Sequence, residues 1–269
     1  MTLIMRRRDL LTAAALASTA AVLPSPLYSY GYYDKARLMR APSLGDGEFV
    51  WQWLVLLIDA SSSMRQLFER MTFYDLQIEA TARALMEPCV VDRLIGTRSS
   101  RTAIAAVLWS ANKQQEVAVH WSVIRSKKDI AAVATRLRNT ANYLDSETGV
   151  AAAVRFAIEL LKAGYISGRS RRIIDVTANG RDNQGGDPAV AARQAEEAGV
   201  TINAVVMKGY DGTVDEMHDY YLRNVITKDG LIFKVEEEKK ALEALAIANA
   251  SKFCSEISFV RRRRPRVRA

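Results

Sequence analysis

Residues 49–58, FVWQWLVLLI, form an apolar run with no polar face. A strand that shows water on one side alternates apolar and polar residues, so this run predicts a central strand covered on both sides. Sheets of that kind are parallel, and parallel neighbours need crossover helices. The run ends abruptly in Asp59-Ala60-Ser61-Ser62-Ser63, a carboxylate followed by hydroxyls at alternate positions.

Downstream segments alternate as that strand requires. Residues 66–86 carry helical spacing and halt at Pro88. TAIAAVLWS, 102–110, and EVAVHWSVI, 116–124, read as strands joined by a short polar turn, predicting an antiparallel hairpin. Residues 127–139 and 149–164 read as helices. A strand over 171–179, a helix over 188–199 and a strand over 201–207 follow. The chain closes with a short helix over 217–226, an edge strand at 231–235 and an amphipathic helix over 236–253. The predicted fold is α/β: a doubly wound, mostly parallel sheet with one antiparallel edge strand and helices on both faces. In such folds the loops at the carboxyl ends of the strands build the binding site. The loops after Ile58, before helix 149–164 and after Thr177 therefore belong together.

Four parts are expected: an export signal over 1–30, a linker over 31–48, one domain over 49–256 and a basic tail over 257–269. The signal has arginines at 6–8, a small and apolar middle from Leu10 to Leu23, and alanine-rich cleavage positions before Pro24 and Pro26. Arg7-Arg8-Asp9-Leu10-Leu11 resembles the bacterial twin-arginine export motif. A retained anchor is the alternative, but the apolar middle is shorter than the roughly 20 residues a spanning helix needs. The expected location is periplasmic or secreted, in a bacterium, with the signal cleaved.

Charge excludes one class of partner. The net charge of +8 is carried by Arg6–Arg8 and by six arginines from Arg261 onward; with these and Asp9 set aside, the body has no net charge. A basic groove for nucleic acid is therefore not expected. The RRRRPRVRA tail is either a disordered, solvated end or a contact for anionic lipid at a membrane, polysaccharide or nucleic acid. Cys89 and Cys254 either pair as a disulfide, which an exported protein permits, or pack as two buried thiols. The four tryptophans fall in strand runs and are read as core.

Asp59, Ser61 and Ser63 spell D-x-S-x-S at the end of the first strand. Carboxylate and hydroxyl oxygens are the hard donors that Mg²⁺ accepts, and alternate residues of a tight loop face the same way. The same residue types also cap helices and turns, so the pattern alone is weak. In its place at the end of a buried first strand it resembles the metal-ion-dependent adhesion site of von Willebrand factor type A domains. More narrowly, the chain resembles a bacterial exported family, domain of unknown function 1194, over about residues 50 to 255. LVLLIDASSSM, WSANKQQEVAVHWSVI and RRIIDVTANGRDNQG carry that likeness, supported by AGVTINAVVM and DYYLRNVI.

The resemblance implies a metal set of Asp59, Ser61, Ser63 and Thr148, with Asn179 on the third loop where the wider family has an aspartate. Thr148 also suits a helix N-cap, and the two roles are compatible. Asn179 keeps a carbonyl oxygen without the charge, so weaker binding of Mg²⁺ or Mn²⁺ is expected; Asp182 or Asp175 could compensate, Asp175 being the more structural by its place within a strand. Gly180, Gly185 and Gly186 are read as turn glycines. Asn183 and Gln184 either orient the loop or meet a ligand. His120 and His218 have no zinc-ligand spacing. The implied function is a monomeric, non-catalytic module in which an acidic side chain of a protein partner completes the cation's coordination. A metal-free scaffold with a degenerate site is the alternative. A metal-assisted hydrolase is less favoured, because G-x-S-x-G, H-E-x-x-H and phosphate-loop motifs are all absent.

Overall fold

A computed structural model describes residues 41–262 except 69, 165–168, 210–211 and 237–239, with side chains through residue 255. The segment expected to be an export signal, most of the expected linker and the last residues of the tail lie outside the described residues.

The apolar run is strand β1, Val50–Asp59, at the centre of a six-stranded sheet. In chain order the other sheet strands are β4 (Arg101–Trp109), β5 (Gln115–Ile124), β6 (Arg171–Ala178), β7 (Val200–Met207) and β8 (Ile232–Val235). A separate two-stranded hairpin is formed by β2 (Leu67–Phe68) and β3 (Met71–Thr72). The spatial order is β5-β4-β1-β6-β7-β8; all neighbours are parallel except β4 and β5. The hairpin turn is closed by Ser110 N donating to Gln114 O at 2.9 Å.

Among the described residues, seven α-helices cover the two faces: α1 (Phe73–Met86), α2 (Pro88–Ile95), α3 (Lys127–Arg138), α4 (Val150–Gly164), α5 (Pro188–Glu197), α6 (Val214–Asn224) and α7 (Ala241–Arg262). Leu54, Leu56 and Ile58 of β1 pack into a core with α1, α2, α3 and α7. Val55 and Leu57, pointing the other way, pack with α4, α5 and α6. The continuous apolar run is thus two interleaved stripes, one for each helical layer. Trp53 and Trp109 are buried in these cores, as their place in strand runs predicts, while Trp51 and Trp121 are half-buried.

Two departures from the sequence reading fall at the ends of α1. The expected helix over 66–86 begins only at Phe73, where the Thr72 side chain accepts from Asp75 N at 3.0 Å. The residues before it form a 3-10 turn, Ser62–Arg65, and the small β2–β3 hairpin. Pro88 ends one helix and opens another, α2, because a proline in the first turn has no N–H to leave unpaired.

The helices on the Leu54 face are tied to one another and to the sheet by chemistry as well as packing. Cys89 on α2 and Cys254 on α7 form a disulfide, with Cα atoms 6.1 Å apart. Beneath it, Lys252 Nζ on α7 lies 3.7 Å from Asp175 Oδ2 on β6, both side chains buried. Asn203 Nδ2 donates to the other oxygen of Asp175 at 2.8 Å. Asp175 is therefore a structural residue. Among the described residues, no helix is long and apolar enough to cross a membrane.

Candidate functional site

Parallel register places the strand ends together: Asp59 lies opposite Trp109, and Ile58 opposite Thr177. The loops leaving these ends are then stitched by backbone. Ala60 N donates to Trp109 O, Ser62 N to Ser146 O, and Gly149 N to Ser110 O, each at 2.8 Å. Thr148 N donates to Asn183 Oδ1 at 2.8 Å, and Asn183 N returns a bond to Thr148 O at 3.0 Å. Asn183 is thus a loop organiser. Gln184 holds the turn by its backbone, its carbonyl accepting from Asn112 Nδ2 at 3.0 Å.

Within that frame the polar side chains form a chain of contacts. Ser61 N donates to Asp59 Oδ1 at 2.9 Å, Ser61 Oγ lies 3.1 Å from Ser63 Oγ, and Ser63 Oγ donates to Asn179 Oδ1 at 2.9 Å. Thr148 comes in from the other side: a Cβ placed on Gly180 would sit 3.2 Å from Thr148 Oγ1. The structure therefore gathers Asp59, Ser61, Ser63 and Asn179 into one hydrogen-bonded group, with Thr148 packed against the residue after Asn179. Asp59, Ser61, Thr148 and Asn179 are buried.

Asp59 is the unusual member. It has no exposed surface, and its Oδ2 has no hydrogen-bond partner among the described residues. Burial pushes its carboxyl up to about 6, against the opposing pull of Ser61 and the Asn179 backbone. Such a group holds a desolvated negative charge at neutral pH with one oxygen uncompensated, a state that favours a positive neighbour. One carboxylate, three hydroxyls and an amide oxygen are hard donors of the kind Mg²⁺ and Mn²⁺ accept, with fewer charges than a tight site would use. No cluster of three or more His, Cys, Asp or Glu side chains able to hold a metal occurs among the described residues. His120 is exposed on β5, and His218 Nδ1 lies 3.6 Å from Asp219 Oδ1.

Asp182, considered as a replacement carboxylate, is occupied by backbone. Its Oδ2 accepts from Ala151 N at 2.9 Å in the first turn of α4, and its Oδ1 accepts from Gln184 N and Gly186 N at 3.1 Å. Of the three loop glycines only Gly185 has a positive φ, +70°. Gly186 is required for space, because a Cβ would lie 2.7 Å from that of Ala151, whereas a Cβ on Gly180 would press on Thr148 Oγ1 at 3.2 Å.

Several supporting residues carry no signal in the sequence. The buried Gln77 on α1 donates to the carbonyl of Asp59. Tyr221 on α6, also fully buried, donates from its hydroxyl to Gly180 O at 3.0 Å, while its neighbour Tyr220 accepts from Asp182 N at 3.1 Å. Burial holds both phenols above their usual range, so both remain protonated. The DYYLRNVI segment contains both tyrosines, but nothing in their spacing announces that they hold a loop 40 residues away in sequence.

The order of the strands, the single antiparallel edge and the helices on both faces define a von Willebrand factor type A fold. Solved structures of that fold are similar to this chain. Proximal thread matrix protein 1 from the mussel byssus, in a form with a zinc-occupied MIDAS motif, superposes with a TM-score of 0.55 at 15% identity, covering 77% of this chain and 49% of that one. A von Willebrand factor type A protein from Catenulispora acidiphila superposes at 0.52 with 13% identity, covering 76% and 43%. The pilus adhesin SpaC from Lactobacillus rhamnosus GG, in an open conformation, superposes at 0.53 with 11% identity, covering 80% and 31%. This chain spans less than half the length of each. Curated proteins give no match in sequence. Residues 50–258 match the family described as protein of unknown function (DUF1194), and the chain belongs to that family.

Proposed function

We propose that the chain is an exported, non-catalytic binding module that holds Mg²⁺ or Mn²⁺ on Asp59, Ser61, Ser63, Thr148 and Asn179. Its partner is a protein that presents an acidic side chain to that site. The observation that carries the reading is Asp59 Oδ2: an oxygen of a buried carboxylate with no partner, beside hydroxyls already gathered round it. Leaving such an oxygen unmatched is costly, and a hard cation is the counterpart its neighbours suit. When bound, the cation supplies a Lewis-acidic positive centre for a carboxylate of the partner. Ser61, Ser63 and Asn179 orient one another, and Asp59 supplies the charge. Thr148 stands on a loop fixed by Asn183 and Ser110, so the binding surface needs little rearrangement to form. A monomer in the periplasm or outside the cell is the form in which this module would act. The zinc-occupied MIDAS motif of the mussel protein and the adhesin with the same fold support the reading by likeness of fold.

A metal-free scaffold is the second reading, favoured by one observation: Asn179 Oδ1 already accepts a hydrogen bond from Ser63 Oγ, closing the chain without a cation. Calorimetric titration with Mg²⁺ and Mn²⁺ separates the two. The proposal expects binding heat and a raised Tm for wild type, both lost in Asp59→Ala. No heat in wild type at millimolar cation leaves the scaffold reading standing.

A further inference from the structure

Beside the third loop lies an open hollow of about 300 Å³ lined by Arg181, Glu216, Asp219, Tyr220, Arg223 and Asn224. Most of its polar groups are already engaged. Glu216 Oε2 accepts from Thr213 N at 2.8 Å as part of a capping box, and Asp219 lies 3.3 Å from Arg223. Asn224 Nδ2 donates to Tyr220 O at 2.8 Å. Arg181 is the exception. Its guanidinium lies over the Tyr220 ring at 5.7 Å, its Nε is buried without an acceptor, and among the described residues it makes no hydrogen bond or ion pair.

A partly desolvated arginine with an aromatic ring beneath it is pre-oriented, and it has lost part of the water that would compete with an anion. Its position is set from below. Tyr220 and Tyr221 grip Asp182 N and Gly180 O on either side of Arg181, so this side chain leaves the same short loop that carries Asn179. An acidic group meeting the Asp59–Asn179 cluster therefore has a second cation within the same loop. Neither acid lining the hollow is paired with it: Glu216 is held by Thr213 and Asp219 by Arg223.

We infer that Arg181 is a second anchor for the partner, taking a further carboxylate of an acidic segment whose first carboxylate is held at the Asp59 site. The inference rests on the proposed cation site and narrows its partner to a peptide surface bearing two closely spaced acids. Bidentate pairing with the guanidinium would make the preference for two acids over one geometric as well as electrostatic.

The test uses the full protein with Mn²⁺ and two fluorescent capped peptides, one with a single glutamate among glycines and one with two glutamates separated by one glycine. Wild type is expected to bind the two-glutamate peptide on the order of tenfold more tightly, as a charge-assisted bond implies. Arg181→Gln should lose that preference while keeping its affinity for the one-glutamate peptide and its Mn²⁺ titration. Arg181→Lys should recover only part of it, because the fork is gone. Equal binding of both peptides by wild type, or an undiminished preference in Arg181→Gln, overturns the inference. Wild type that takes up no Mn²⁺ in the parallel titration overturns the cation reading and this one with it.

Discussion

Ser63 Oγ donates to Asn179 Oδ1 at 2.9 Å across 116 residues of sequence, joining the loop after β1 to the loop after β6. An aspartate at 179 would accept the same bond and add a charge within reach of Asp59. That single difference sets the expected strength of the site.

Asn179→Asp should therefore tighten Mn²⁺ binding about tenfold or more, since a carboxylate is a far better ligand for a hard dication than an amide. Without cation the same change should lower Tm, because two carboxylates would share one buried site. Calorimetry and thermal melts with and without Mn²⁺ check both halves; equal affinities in the two proteins would count against a cation between these loops.

The raised carboxyl of Asp59 gives a pH signature in cation-free protein. The folded state holds this proton up to about pH 6, whereas an ordinary aspartate releases it near 3.8. Between those values the folded state binds more protons, so the stabilisation present below 3.8 is lost as pH rises through 6, about 3 kcal/mol in all. Roughly 1 kcal/mol of it falls between pH 5 and 7.5. Carboxylates held low, such as Glu48 at about 2 beneath Arg125, act in a more acidic window and with the opposite sign. Urea denaturation of wild type and Asp59→Asn across pH 5–7.5 should show the slope in the first and a flat response in the second. Bound Mn²⁺ should protect more as pH rises, because the proton competes for the same oxygen.

Gly209→Ala should damage the third loop directly. A Cβ there would lie 1.7 Å from Asn179 O, a backbone atom that cannot swing aside. The loop must move, and a loss of roughly 1–3 kcal/mol is expected, as for other overpacked positions. Chemical denaturation measures it, and the Mn²⁺ titration should weaken in parallel. An unchanged titration would mean that Asn179 has no part in cation binding.

The Cys89–Cys254 bond closes a loop over a sequence separation of 165 residues. In the chain-entropy account so long a loop is worth about 5 kcal/mol at most, with 2–4 kcal/mol typical. Cys89→Ser with Cys254→Ser, or wild type in reductant, should lose stability of that order in denaturant titrations. The sheet should survive, because α7 keeps the Lys252–Asp175 contact and its apolar face.

Much of this could be read locally. An unbroken apolar run, helical spacing and the placing of short polar turns depend on neighbours in sequence, and the two-sided sheet with its antiparallel edge follows from them. Local signals were weakest where local preferences compete. The segment before Phe73 has helical spacing, yet the Thr72 cap sets the helix start and the preceding residues pair as β2 and β3. Pro88 reads as a stop and is also a start.

Sequence alone determined the layers, the strand that ends on Asp59 and the residue types at its edge, because period and composition act over a few residues at a time. Tertiary structure decided which oxygens meet. It closed Cys89 on Cys254, turned Asp182 inward to the first turn of α4, and brought Gln77, Tyr220 and Tyr221 under loops far away in the chain. Those choices depend on burial, which removes water as a partner and makes each polar atom find another across the fold. Asp59 Oδ2 is one of the few atoms for which the fold provides none among the described residues.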